Sequence, residues 1–120
     1  MRVVNTAYPP DVADIDTPLV DDPRLSMLER QLHDAILELA KRFRWDVYHT
    51  ADSRRSKAGF PDLVLWRKRV IFAELKSTNG KLREDQVETL NALANAGANV
   101  FVWRPVDWVT GAIEHELRRI

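Results

Sequence analysis

The chain is predicted to fold as one α/β domain, a mixed β-sheet with helices on its faces. Three observations lead to this expectation. Two apolar runs, residues 59–66 and 70–77, flank the polar turn Arg67-Lys68-Arg69 and read as a β-hairpin over 61–77. Stretches with apolar residues at helical spacing stand on either side of that hairpin. A last apolar run, residues 99–104, follows the second helical stretch, and a strand reached through a helical crossover can pair in parallel. With 120 residues, 45% of them hydrophobic, the chain can build one modest core and no more than one domain.

The elements follow in order. Residues 1–23 carry Pro9, Pro10, Pro18 and Pro23 among scattered acids and show no periodicity, so they read as a flexible or extended arm ahead of a domain spanning 24–120. Val3, Val4, Tyr8 and Val12 leave open that the arm packs on a partner subunit. Asp22 and Pro23 suit the start of a helix, in which Leu28, Leu32, Ala35, Ile36, Leu39 and Phe43 form the core stripe. Residues 45–50 read as a strand and 51–60 as a basic loop. After the hairpin, Thr78-Asn79-Gly80 is a turn. A second helix runs from about 83 to 96, favoured by Glu84 and Asp85 at its start and ended by Gly97. Arg83 is a poor residue for its cap. Pro105 stops the last strand, and Asp107 is placed to cap a final helix to the C-terminus, weakened by Gly111.

Composition narrows the chemistry. There is no cysteine, hence no disulfide framework, no zinc–thiolate site and no thiol nucleophile. No apolar stretch approaches membrane-spanning length and no signal-peptide pattern opens the chain, so a soluble, intracellular protein is expected, with no membrane partner. The net charge of zero hides an asymmetry. Residues 1–23 hold five acids against one base, and the remaining residues carry a net charge of +4. A mildly basic body is compatible with nucleic-acid binding.

The hairpin carries charge where a strand core should have none. Asp62 opens its first strand, and Glu74 and Lys76 share one face of its second. A turn centred on Lys68 sets residues whose numbers sum to 136 opposite one another, which places Asp62 across from Glu74. Two carboxylates so close repel, and one would hold a proton at neutral pH unless a cation sat between them. Mg²⁺ or Mn²⁺ takes such oxygen ligands, and backbone carbonyls such as that of Leu75 can join the set. Lys76 would be a poor ligand. It suits steadying an attacking hydroxide or the charge growing on a phosphate. Together these residues form a kit for phosphodiester hydrolysis. The competing reading is a structural ion cluster.

Gly-x-Pro-Asp at 59–62, Glu-x-Lys at 74–76, Gly80-Lys81-Leu82 and Gln86, with an acid in the preceding helix, resemble the VRR-NUC (virus-type replication-repair nuclease) group of the PD-(D/E)xK nuclease superfamily. The resemblance spans about residues 26–105. It implies a restriction-endonuclease-like αβββαβ core, here with an added C-terminal helix. Asp62 and Glu74 would be metal ligands with the Leu75 carbonyl, Lys76 would orient the attacking water, and Gln86 would support the site. Glu29 would be the helix acid, reaching the metal directly or through water. It also implies a metal-dependent DNA nuclease leaving a 5′-phosphate and a 3′-hydroxyl. Small stand-alone members resemble enzymes selective for branched DNA such as Holliday junctions and flaps. So short a chain has little surface to grip a junction alone, which leads to an expected homodimer. The family name suggests a phage or bacterial setting. A non-specific or restriction-type endonuclease and a catalytically silent DNA-binding module are the alternatives, and one metal ion or two is left open.

Other residues admit two readings from sequence. Gln86 lies on the inward face of its helix, where it either satisfies backbone groups or stands beside the metal. Glu29, taken alone, reads as a solvated helix acid able to pair with His33. Arg54, Arg55 and Lys57 precede the Gly-x-Pro-Asp segment, and Lys81 follows the hairpin; each is either a DNA-phosphate contact or a solvated charge. Arg67, Lys68 and Arg69 are assigned to an exposed turn. His33, His49 and His115 form no recognisable set, and Trp45, Trp66, Trp103 and Trp108 read mainly as strand or core residues.

Overall fold

The computed structural model describes residues 22–51 and 56–119. The expected 1–23 arm lies almost wholly outside the described residues. Asp22 and Pro23 do mark a helical start, but of a short 3₁₀ helix, Pro23–Ser26, whose first free amide, on Arg24, donates to Asp22 Oδ1 at 2.9 Å. The chain then breaks, and α1 runs over Glu29–Arg42. Leu28 is therefore an N-cap rather than part of the core stripe, and it is 64% exposed. Its amide donates to the side chain of Gln31 at 2.8 Å, an interaction that replaces the missing polar cap.

Leu32, Ile36, Leu39 and Ala40 make up the buried face of α1. The helix ends in a Schellman motif: Arg44 takes the left-handed conformation (φ +66°) and the Trp45 amide returns to the Ala40 carbonyl at 2.9 Å. Strand β1 (Asp46–His49) follows, then β2 (Leu63–Trp66) and β3 (Val70–Leu75). Helix α2 (Glu84–Asn95) leads to β4 (Asn99–Trp103). The sheet order is β1-β2-β3-β4. The first two pairings are antiparallel and β3–β4 is parallel, the mixed sheet the sequence predicts. Leu63 faces Ala73 and Trp66 faces Val70, so the hairpin register is the one expected from a turn at Lys68.

One face of the sheet carries Leu63, Leu65, Ile71, Ala73, Leu75 and Trp103, which pack with α1 and with Ile113 and Leu117 from the C-terminal region into a single core. Residues of opposite parity on β3, Phe72 and Glu74, face the α2 side. The expected C-terminal helix is in fact two. Pro105 not only stops β4 but opens α3 (Pro105–Val109), with the Arg104 amide donating to Asp107 Oδ2 at 2.7 Å. Gly111, at φ +84°, breaks the chain before α4 (Ala112–Arg118). The turn after β2 is also less exposed than expected. Arg69 lies 5.5 Å over the Trp45 ring and reaches Glu116 Oε1 at 3.1 Å, tying the hairpin to α4.

Candidate functional site

The hairpin delivers three functional side chains to one end of the sheet. Asp62 stands immediately before β2, and its Oδ2 accepts the Leu75 amide at 2.8 Å, which fixes the carboxylate against β3. Glu74, on β3, is 2% exposed, and Lys76, just beyond the strand, is 8% exposed. The Lys76 amide donates to the Trp103 carbonyl at 3.0 Å, extending the β3–β4 ladder by one residue and holding the lysine in the strand frame. Lys76 Nζ is 3.8 Å from Glu74 Oε2.

Gln86 joins them from the first turn of α2. Its Nε2 donates to Glu74 Oε2 at 2.9 Å, while its Oε1 accepts the Arg83 amide at 2.8 Å. Of the two readings open from sequence, the amide oxygen realises the first by satisfying a backbone group, while the amide nitrogen holds the Glu74 carboxyl group. This is also why Arg83 suffices at the cap position.

Gly59 brings the preceding loop against the same helix. A Cβ there would stand 2.3 Å from the Asp85 carbonyl oxygen, and its φ is +81°, so the Gly-x-Pro-Asp segment depends on glycine twice over. The resulting cleft has a volume of about 420 Å³ and is lined by Glu29, His49, Ser56, Lys57, Phe60 and Arg83 together with Asp62, Glu74, Lys76 and Gln86. Of the expected DNA contacts, Lys57 borders the cleft, Lys81 is exposed but does not line it, and Arg54 and Arg55 lie outside the described residues.

The electrostatics of the carboxyl pair are strongly perturbed. Burial, and after it the Asp62 carboxylate, push the Glu74 carboxyl group up to about 8 from its usual 4.5, against a smaller opposing pull from Lys76. Among the described residues Glu74 Oε1, which is buried, has no hydrogen-bond partner. Raised to about 8, the group holds a proton at neutral pH; ionising it would leave a buried anionic oxygen, and a hard divalent ion is a partner that oxygen would fit. Asp62, Glu74 and the Leu75 carbonyl offer oxygen donors only, which suits Mg²⁺ or Mn²⁺. Among the described residues no three His, Asp or Glu side chains converge on one point, so Glu29 borders the cleft without completing a three-carboxylate cluster.

The profile of the VRR-NUC domain matches residues 15–107. The chain belongs to the VRR-NUC domain family. A solved structure described as a VRR_NUC domain protein superposes with a TM-score of 0.61 at 21% identity, covering 77% of this chain and 91% of the other. At that identity the likeness bears on fold, and it agrees with the mixed four-stranded sheet flanked by helices. No curated protein sequence matches the chain. VRR-NUC membership gives the protein a nuclease-type fold. Among the described residues no helix is long and apolar enough to cross a membrane.

Several residues at this VRR-NUC cleft escaped sequence reading. Arg83 borders the cleft although it reads only as a weak cap. His33 and His49 do come together, with ring centroids 4.4 Å apart, and His33 Nδ1 engages Asp34 at 3.1 Å rather than Glu29. Arg104, at the end of β4, donates to the carbonyls of Ser77 and Gly80 at 2.8 and 2.6 Å and clamps the loop between Lys76 and α2. The His33–His49 contact and the Arg104 bonds have no local sequence signature, because each joins segments far apart in the chain.

Proposed function

We propose that the protein is a divalent-metal-dependent DNA endonuclease, selective for branched DNA such as junctions or flaps and working as a homodimer. The observation that carries this reading is the buried, unpartnered Oε1 of Glu74 beside Asp62 and Lys76. Asp62, Glu74 and the Leu75 carbonyl would hold Mg²⁺ or Mn²⁺, with Glu29 able to contribute through water. When bound, the ion supplies Lewis-acid polarisation of the phosphate and a more acidic water.

The chain's own residues do the positioning. Gln86 holds one oxygen of Glu74 so that the other is presented to the ion. The Leu75 amide fixes Asp62. Lys76 carries its ammonium group to the attacking water and to the charge developing on the phosphate. Attack opens the bond from phosphorus to the 3′-oxygen and leaves a 5′-phosphate and a 3′-hydroxyl. Lys57 and Arg83 at the rim, with Arg54 and Arg55 just before Lys57 in the sequence, hold flanking phosphates. Two copies would set two such sites against two strands. Tyr48, Trp66 and Val70, at 55%, 40% and 44% exposure and all on the sheet face away from the core, form an apolar patch that supports self-association.

The test is to incubate labelled linear, flapped and four-way-junction DNA with the protein in Mg²⁺, Mn²⁺ or EDTA, beside Asp62→Ala and Lys76→Ala. Metal-dependent cutting of the branched substrates, lost in both variants, is expected. Binding without cutting in every metal condition overturns the catalytic reading. Equal rates on linear duplex overturn the selectivity. A monomer in solution scattering, with and without DNA, overturns the dimer.

A further inference from the structure

A second cavity, of about 370 Å³, adjoins the catalytic cleft, and Glu29, His49 and Asp62 line both. Its walls include the imidazole of His33, whose ring lies 4.4 Å from that of His49, and Arg30. Asp34 engages His33 Nδ1, while His33 Nε2 is buried and has no hydrogen-bond partner among the described residues. The nuclease mechanism uses neither histidine.

Resting on the nuclease reading above, we infer that this cavity receives the base of a nucleotide directly flanking the scissile phosphate, stacked on the exposed His49 ring, which the His33 ring backs at an interplanar angle of 54°. Three features select this occupant. The two cavities meet at Asp62, so a strand whose phosphate sits at the metal ligands continues into the second. Imidazole rings are stacking platforms for unpaired bases. His49 itself is exposed on the edge strand β1, so its ring is open to an incoming base. Arg30 stands at the same wall for the adjoining phosphate. A base can enter only once it has left the duplex stack, which is easiest in a flap or at a branch point. Selectivity for branched DNA is thereby placed in residues distinct from those that cut.

The test is a cycle between enzyme and substrate. Cut sites on a flapped DNA are mapped first. The substrate is then remade with an abasic residue at each nucleotide flanking the cut, and wild type is compared with His49→Ala and His49→Phe. His49 lies on an exposed edge strand, so these variants are expected to fold. On intact substrate His49→Ala should lower kcat/KM about five- to hundredfold, the range that stacking of one base accounts for. His49→Phe should restore most of it. At one flanking position the abasic substrate should abolish the difference between wild type and His49→Ala. A His49→Ala penalty that persists at every abasic position overturns the inference. So does failure of His49→Phe to restore cutting. If wild type cuts nothing in any metal, the nuclease reading itself fails, and the same cycle run on DNA affinity in EDTA decides the base pocket separately. There, a His49→Ala effect on affinity that is independent of the base overturns it.

Discussion

Gln86 Nε2 donates to Glu74 Oε2 at 2.9 Å, and the other oxygen of the same buried carboxyl group has no hydrogen-bond partner among the described residues. The glutamine thus divides one carboxylate into a held oxygen and a presented one. Groups that orient a metal ligand in this way typically account for about 10–100-fold in metal affinity. Gln86→Ala should therefore weaken Mn²⁺ binding by about that factor, read by calorimetric titration. It also removes the acceptor for the Arg83 amide, at a cost of about 1 kcal/mol in stability. A folded Gln86→Ala variant with unchanged Mn²⁺ affinity would show that the amide serves the helix cap alone.

Glu74 gives the metal-free protein a defined pH response. Its folded-state value is raised to about 8 from an ordinary 4.5, chiefly by burial and then by Asp62. Between those limits the folded form holds a proton that the unfolded chain has released. The stabilising contribution is therefore full below about pH 4.5 and is lost as pH rises toward about 8. A metal ion needs the ionised carboxylate, so its stabilising effect should grow over the same window. Melting temperature in EDTA should fall as pH rises from about 5 to about 8, and the gap between Mg²⁺ and EDTA should widen. Glu74→Gln should flatten the EDTA slope and abolish the Mg²⁺ shift. A wild-type slope of opposite sign in EDTA would contradict the assignment.

Gly59 and Gly97 both adopt positive φ, +81° and +97°, but only Gly59 is crowded. Gly97→Ala meets open space, so it should cost only the backbone strain, about 1 kcal/mol. Gly59→Ala adds a contact at 2.3 Å with the Asp85 carbonyl oxygen and should cost about 2–4 kcal/mol. It should also reduce cutting, because the displaced segment leads directly into Asp62. Urea denaturation of the two variants makes the comparison. Equal losses would mean that the contact with α2 relaxes freely.

The acid–acid–lysine cluster was legible in the sequence because every rule it needs is local. A three-residue turn set the hairpin register, strand parity set the shared face, and charges in an apolar run marked the site. The start of α1 was not legible in the same way. Asp22-Pro23 carries a sound helix-start signal, but it belongs to the 3₁₀ helix, while the true start is capped by the reach of Gln31 to a leucine amide. Arg69 read as a solvated turn residue because its partner, Glu116, is 47 positions away. The His33–His49 contact joins a helix to the edge strand, a juxtaposition that neither segment's periodicity encodes. Gly111 did signal a weakness in the last helix, and its positive φ turns that weakness into a break.

Arg104 lies outside every motif, yet it determines how the motif residues on β3 and α2 are set relative to each other. Its guanidinium donates to the Ser77 and Gly80 carbonyls, so it fixes the turn between Lys76, at one end of the connection, and Gln86, just beyond the other. Hydrogen bonds from a charged donor contribute about 1.5–3 kcal/mol, and here they restrain a loop rather than the core. Arg104→Ala should accordingly leave the fold intact and act on turnover. An expected 10–100-fold fall in kcat with little change in KM would mark lost positioning of Lys76 and Glu74, since the residues proposed to hold DNA are others at the rim. Both bonds leave from Nη1; Arg104→Lys retains the charge but not the rigid planar group that directs that nitrogen at the two carbonyls, so it should recover only part of the rate. A fall in KM-dependent binding alone, or full recovery by lysine, would instead assign Arg104 to the electrostatic attraction of DNA.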